Sequence, residues 1–253
     1  MKRIMIVADD FGLSKEINGG IETGVKAGAL SFASLMVDGK FAADAVRIAR
    51  ENPGLTVGLH VDVSRLLGID EDVWRGVRVN NLMEVISGKS LTDKFIEDCQ
   101  RQITKFFELG FAPTFINSHF NIHILPQFFP YFVEIAADSS FKYVRFSKLT
   151  PLLFHPDIPI EGRLSGMAKL LEKMGMVHSD EYIAASFHFF PPELKQDVTE
   201  IMVHLKDSPG SKNDPISTVY YLDLIKILSW GDYYRYVRYR GQYEELNISG
   251  AVR

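Results

Sequence analysis

The chain has almost no cysteine, and this scarcity limits how it can be stabilised. Cys99 is the only cysteine among 253 residues, so no disulfide can form within the chain. This pattern is typical of proteins that fold in a reducing compartment. Cys99 lies in a predicted amphipathic helix beside charged residues, and we assign it no catalytic role.

Long apolar runs are also missing. No stretch approaches the ~20 apolar residues that a membrane-spanning helix needs. The apolar run after Met1-Lys2-Arg3 is too short for a secretory signal. We therefore expect a cytoplasmic protein. The aromatic segment Phe187-His188-Phe189-Phe190 is nevertheless compatible with a peripheral lipid contact, although a loop packed on the rim of the fold explains it better.

Positive charge is not in excess. The formal net charge is −4, so the chain lacks the excess positive charge that is typical of nucleic-acid-binding proteins. Hydrophobic residues make up 46% of the chain, enough for a sizeable core. We find no internal repeat and no linker, so we expect residues 1–253 to form a single domain.

Strand and helix patterns alternate along the sequence, which predicts a parallel sheet with helical crossovers, either open or closed into a barrel. The predicted strands cover residues 2–8, 31–37, 55–61, 115–118, 142–146 and 199–205. The predicted helices cover 15–27, 42–50, 91–109, 128–137 and 166–174. Residues 233–239 alternate aromatic and basic side chains and are a candidate substrate rim or homodimer contact.

Two adjacent aspartates, Asp9 and Asp10, end the first apolar run. The carboxyl ends of parallel strands are where α/β folds place their chemistry. Two neighbouring carboxylates resist joint ionisation unless a cation or a shared proton relieves them, so we expect a metal. The structural alternative is that one aspartate caps the helix that begins near Ser14.

Three histidines also follow apolar runs. His60, His119 and His204 end predicted strands, so parallel strands would bring them to the same edge as the aspartates. One Asp and two His form a common divalent-metal set. Taken singly, a histidine at a strand end is more often a hydrogen-bonded structural residue than a ligand, but the four strand ends together favour a site. His123 follows His119 by four residues, a spacing that predicts one shared helical face.

These pieces, in this order, resemble the YdjC-like carbohydrate deacetylase family, typified by chitooligosaccharide deacetylase. The matching motifs are Ala8-Asp9-Asp10-Phe11-Gly12-Leu13-Ser14, Val57-Gly58-Leu59-His60, Asn117-Ser118-His119 with His123, Val144-Arg145, Glu200-Ile201-Met202-Val203-His204 and Tyr243-Glu244-Glu245-Leu246. They extend over nearly the whole chain.

The resemblance implies a distorted, TIM-like (β/α) barrel with rim insertions that removes an N-acetyl group from an amino sugar. It implies one divalent metal ion, Mg²⁺ or Zn²⁺, with the ligands Asp10, His60 and His119. Asp9 would be the general base, His204 the general acid, and Arg145 the residue that orients or neutralises an acidic group. The residues expected to line the site are His123, Phe11 and Asn117.

The sequence departs from the family pattern at four positions. Asn117 replaces an aspartate, Phe120 and Asn121 stand where histidine is frequent, and Leu205 replaces a proline. These changes bear on the surroundings of the metal and on substrate choice. The segments 33–39, 42–46 and 198–201 are similar to family members associated with hopanoid biosynthesis, which implies a lipid-linked glucosamine as substrate.

Two rival functions fit the same residues. The first is another metal-dependent amidohydrolase or phosphoesterase that uses the Asp/His set on a different substrate. The second is a sugar-binding protein that has kept the barrel but lost turnover. The retained pairing of an acid and a base around the metal set favours an enzyme, because a binding protein has no need of them.

Overall fold

Strands and helices alternate as the patterning predicts. The computed structural model describes residues 2–67, 89–148, 161–188, 190–209, 219–230, 243–246 and 248. Its strands are β1 (Lys2–Phe11), β2 (Phe32–Leu35), β3 (Thr56–Val61), β4 (Phe115–Ser118), β5 (Tyr143–Val144), β6 (Glu181–Ala184), β7 (Val198–Val203) and β8 (Tyr243–Glu245). Its helices are α1 (Lys15–Lys26), α2 (Ala42–Glu51), α3 (Ser64–Leu67), α4 (Lys89–Glu108), α5 (Phe129–Asp138), α6 (Glu161–Lys173) and α7 (219–230).

The strands form one parallel sheet in the order β5-β4-β3-β2-β1-β7-β6, and β8 pairs with the start of β1. β1 lies near the centre and pairs with β2 and β7 on its two sides. A single parallel bridge between Tyr143 and Val177 connects β5 to the segment just before β6. The fold is therefore α/β, with a parallel sheet curled into a partial barrel.

The structure revises several predicted boundaries. β5 is only two residues long, although the backbone N–H of Arg145 still donates to the Ile116 carbonyl at 3.1 Å. β6 (Glu181–Ala184) was not predicted, because its strand character depends on pairing with β7. The candidate rim at 233–239 lies outside the described residues, as do Phe189 and the side chain of Phe187.

The core explains why these runs form buried strands. β2, β4 and β7 are buried at every position, β3 at all but its first, and β1 at seven of its ten. Parallel sheets covered by helices have this near-continuous apolar pattern. Within the described ranges, no helix combines the length and the apolar character needed to cross a bilayer.

Candidate active site at the carboxyl edge of the sheet

An irregularity at the end of β1 lets Asp9 and Asp10 both reach the same edge of the sheet. Successive residues of a regular strand point to opposite faces. Here the pairing with β2 shifts register between Ala8 and Phe11, and Asp10 has a φ of 64°. Residues other than glycine seldom adopt this left-handed conformation, and such strain is often retained at functional sites.

Ser14, and not an aspartate, caps helix α1. The Ser14 hydroxyl accepts a hydrogen bond from the Ile17 backbone N–H at 3.2 Å. The alternative that Asp9 or Asp10 serves as the helix cap is therefore wrong. Both carboxylates remain available for the site.

Asp10, His60 and His119 form a compact group of ligand atoms. Asp10 Oδ1 lies 3.2 Å from His60 Nε2 and 3.0 Å from His119 Nδ1. One ligand atom from each residue lies within 4.8 Å of the others, and all three side chains are buried. One carboxylate and two imidazoles are a common ligand set for a divalent metal.

Asn117 fixes the orientation of the His60 ring. His60 Nδ1 lies 2.7 Å from Asn117 Oδ1, and Asn117 Nδ2 donates to Asp9 Oδ1 at 3.2 Å. Because an amide oxygen only accepts, this contact requires a proton on His60 Nδ1 and leaves Nε2 as the atom that would ligate a metal. This arrangement is the usual support for a metal-ligating histidine. The asparagine at position 117 is thus compatible with metal binding.

Arg145 connects Asp9 to a second buried carboxylate. Its NH1 and NH2 donate to Asp9 Oδ2 and Oδ1 at 2.6 and 2.8 Å, and its Nε donates to Glu200 Oε1 at 2.6 Å. The Tyr143 hydroxyl donates to the other oxygen of Glu200 at 2.6 Å, and Ser34 Oγ donates to Asp9 Oδ1 at 2.8 Å. Asp9 is therefore held by several donors at once.

The surroundings keep both aspartates ionised. Burial alone would raise the pKa of Asp9, but the charge and hydrogen bonds of Arg145 hold that pKa well below its ordinary value. Burial of Asp10 is likewise overcome, chiefly by the charge of His119, so the pKa of Asp10 is also lowered. Burial raises the pKa of Glu200, against the opposing effect of Arg145.

The buried charges of this region favour a cation. Two buried carboxylates, those of Asp9 and Glu200, share one guanidinium, that of Arg145, and the buried carboxylate of Asp10 faces the imidazoles of His60 and His119. Uncompensated buried charge is costly unless a counter-charge neutralises it. A divalent ion beside Asp10 would supply positive charge at the place where the ligand atoms converge. The donor set and the charge therefore both fit a divalent metal.

The remaining predicted residues have distinct positions. His204 Nε2 lies 3.7 Å from Asp10 Oδ2, so His204 borders the ligand group. Phe11 is fully buried and belongs to the main hydrophobic core. His123 is also fully buried; its Nδ1 contacts Ser118 Oγ at 2.7 Å and its Nε2 contacts the Arg145 carbonyl at 2.8 Å. The lining roles of Phe11 and His123 stay predictions.

The expectation that His119 and His123 share one helical face is wrong. Residues His119–Ile124 form a 3₁₀ segment broken by left-handed backbone at Phe120 and Asn121, with φ values of 55° and 52°. The break separates the two rings: His119 contacts Asp10, whereas His123 contacts the backbone of Arg145. The i, i+4 rule holds only for a regular helix.

Sequence reasoning missed three residues of this network, namely Ser34, Tyr143 and Glu200. A signal for Glu200 was present, because a carboxylate in the middle of an apolar strand is rarely buried without a partner. Ser34 carried no comparable signal.

A family profile and two curated relatives show which proteins this chain is similar to. The sequence profile described as "YdjC-like protein" matches residues 3–224. The chain is 33% identical over 145 residues to a chitooligosaccharide deacetylase of Enterobacter sp. (strain 638), a match that covers 54% of this chain and 57% of that protein. It is 34% identical over 145 residues to the chitooligosaccharide deacetylase of Serratia marcescens, covering 51% and 54%. The matched region thus spans little more than half the length of these curated relatives.

A solved structure has a similar fold. The crystal structure of a proposed cellobiose-phosphate cleavage protein from Enterococcus faecalis V583 matches with a TM-score of 0.63, over 91% of this chain and 95% of that one. The sequence identity is 17%, so the likeness concerns the fold alone.

Proposed function

Because the chain belongs to the YdjC-like family, we propose that it is a metal-dependent hydrolase that removes the N-acetyl group from an amino sugar. The substrate would be an N-acetylglucosamine-containing oligosaccharide or glycolipid, in keeping with the deacetylase relatives. One observation carries the proposal: the Asp10–His60–His119 group lies beside a buried Asp9–Arg145 ion pair.

Asp10, His60 and His119 would hold the ion. When bound, a divalent metal polarises the acetamide carbonyl and lowers the pKa of water to about 7 in favourable sites. Asp9 accepts a proton from the attacking water, and Arg145 and Asn117 hold its carboxylate in position. A C–O bond forms as water adds to the carbonyl carbon.

His204 completes the reaction as the acid. It gives a proton to the leaving nitrogen as the C–N bond breaks, which releases the free amine and acetate. Its Nε2 faces the ligand group, 3.7 Å from Asp10 Oδ2. The proposed base, Asp9, and the proposed acid, His204, thus both lie beside the three proposed metal ligands.

Acetate release from N,N′-diacetylchitobiose tests this function. The full chain is treated with EDTA, dialysed, and assayed alone and with added Zn²⁺ or Mg²⁺. We expect acetate only after metal is restored, and none from Asp10→Asn. His178→Ala is the matched control, because this histidine contacts Ser179 and Phe146, away from the ligand group. Hydrolysis of 4-nitrophenyl phosphate with no acetate released would instead support the phosphoesterase alternative.

We also propose that residues 1–253 form one domain whose sheet closes into the distorted (β/α) barrel of the family. The bridge between Tyr143 and Val177, which connects β5 at one end of the sheet to the segment leading into β6 at the other, supports this closure.

A further inference from the structure

The His204 ring stacks on the side chain of Tyr220, a residue with no assigned role in the proposed hydrolysis. Tyr220, near the start of α7, lies with its ring centroid 4.5 Å from that of His204 and an interplanar angle of 9°. The backbone N–H of Lys206 donates to the Tyr220 carbonyl at 3.3 Å. This bond ties the start of α7 to the chain two residues after His204.

The site histidines differ in how their rings are held. Hydrogen bonds to Asn117 and to the Arg145 carbonyl fix the rings of His60 and His123, respectively. For His204, the polar contact that the described part of the chain provides is the 3.7 Å approach of Nε2 to Asp10. That separation is too long to fix a ring plane. The stack with Tyr220 is therefore the main constraint on the orientation of the His204 imidazole.

We propose that Tyr220 is the positioning residue of the general acid. Its ring face holds the His204 imidazole in the plane from which Nε2 donates a proton to the leaving nitrogen. This inference rests on the proposed function, in which His204 donates that proton. Proton transfer is sensitive to orientation, and a small displacement of a catalytic group can reduce the rate by about 10²-fold.

The role depends on the aromatic ring and not on the hydroxyl. Parallel stacking needs a flat partner, which phenylalanine provides and leucine does not. Tyr220→Phe should therefore preserve the position of His204, whereas Tyr220→Leu should release it. The neighbouring Tyr221→Leu is the matched control, because Tyr221 is on the same helix and, within the described residues, its ring makes no stack with His204.

Steady-state kinetics with two substrates test the proposal. With N,N′-diacetylchitobiose, we expect Tyr220→Leu to lower kcat about tenfold or more with little change in KM, and Tyr220→Phe to restore it to within about twofold. With 4-nitrophenyl acetate the leaving group departs without a proton, so Tyr220→Leu should leave the rate unchanged. A merely structural defect would lower both rates together, which would overturn the proposal, as would normal deacetylation by Tyr220→Leu.

Crystal structures of the wild type and Tyr220→Leu provide a measurement that does not depend on activity. We expect the His204 ring to turn out of its present plane only in the leucine variant; an unchanged ring would overturn the proposal. If the wild type releases no acetate from the sugar, the deacetylase function is contradicted, but the ring orientation still decides the role of Tyr220.

Discussion

Arg145 donates two hydrogen bonds to the Asp9 carboxylate. NH1 lies 2.6 Å from Asp9 Oδ2 and NH2 lies 2.8 Å from Oδ1, and both side chains are almost fully buried. This fork-to-carboxylate geometry fixes the direction of the carboxylate as well as its charge. It also makes Asp9 a weak base, because the guanidinium holds its pKa well below the ordinary value. Asp9 can therefore deprotonate water only where that water is already made acidic, which the proposed metal would do.

The substitution Arg145→Lys tests whether the two-point contact with Asp9 is needed. Lysine keeps the positive charge but cannot form two parallel hydrogen bonds. We expect Arg145→Lys to lower kcat for deacetylation by about 10²-fold, because Asp9 loses its fixed direction. Metal content should not change, since Arg145 contacts none of Asp10, His60 and His119. Arg101→Lys, in a solvent-exposed ion pair with Asp38, is the control.

The role of Asp9 as the base has its own test. Asp9→Asn keeps the size of the side chain but removes the proton acceptor. We expect this variant to retain its metal and to lose about 10²-fold or more in turnover, the usual scale for a lost general base. Near-normal turnover in Asp9→Asn would show that the base is another group.

Loss of either imidazole ligand should release the metal. We expect His60→Ala and His119→Ala to bind much less Zn²⁺ than the wild type by elemental analysis after dialysis. Asn117→Ala, which removes only the partner of His60 Nδ1, should weaken metal affinity by about 10- to 100-fold. His178→Ala should bind as the wild type does; full metal content in both ligand variants would contradict the assignment.

The buried His123 side chain should make the stability of the folded protein sensitive to acid. Burial, together with the nearby charge of Arg145, lowers the pKa of His123 from 6.5 to about 3. The unfolded chain therefore takes up this proton at a higher pH than the folded protein. The stabilisation is full above the unfolded pKa of 6.5 and is lost as the pH falls toward 3.

Denaturant unfolding in EDTA measures this effect. The difference in the free energy of unfolding between wild type and His123→Asn should shrink by about 1.4 kcal/mol per pH unit between about pH 6 and pH 4. Comparing the two proteins cancels the contributions of the aspartates and of His119. If the difference stays constant over this range, His123 is not held neutral in the folded protein.

The sequence predicted the parts of the site that sit at strand ends. Asp10, His60 and His119 follow apolar runs, and parallel strands bring such ends to one edge. The predicted convergence agrees with the group of ligand atoms in the structure. The α/β class was also predicted from local signals, because short apolar runs indicate strands and apolar residues at helical spacing indicate helices.

Features that depend on contacts between distant residues could not be predicted from the sequence. Nothing local shows that Asp10 takes a left-handed backbone, which lets two successive side chains reach one site. The ion pair of Glu200 with Arg145 joins residues 55 positions apart, and β6 depends on its pairing with β7. The broken helical segment after His119 likewise depends on the packing around Phe120 and Asn121.

Anomalous diffraction from a crystal soaked in Zn²⁺ would reveal whether Asp10, His60 and His119 bind one divalent ion. We expect a single strong peak about 2.0–2.2 Å from one oxygen of Asp10 and one nitrogen of each histidine. A zinc-soaked crystal with no peak among these three side chains, or with its zinc bound elsewhere, would show that they are not the metal ligands.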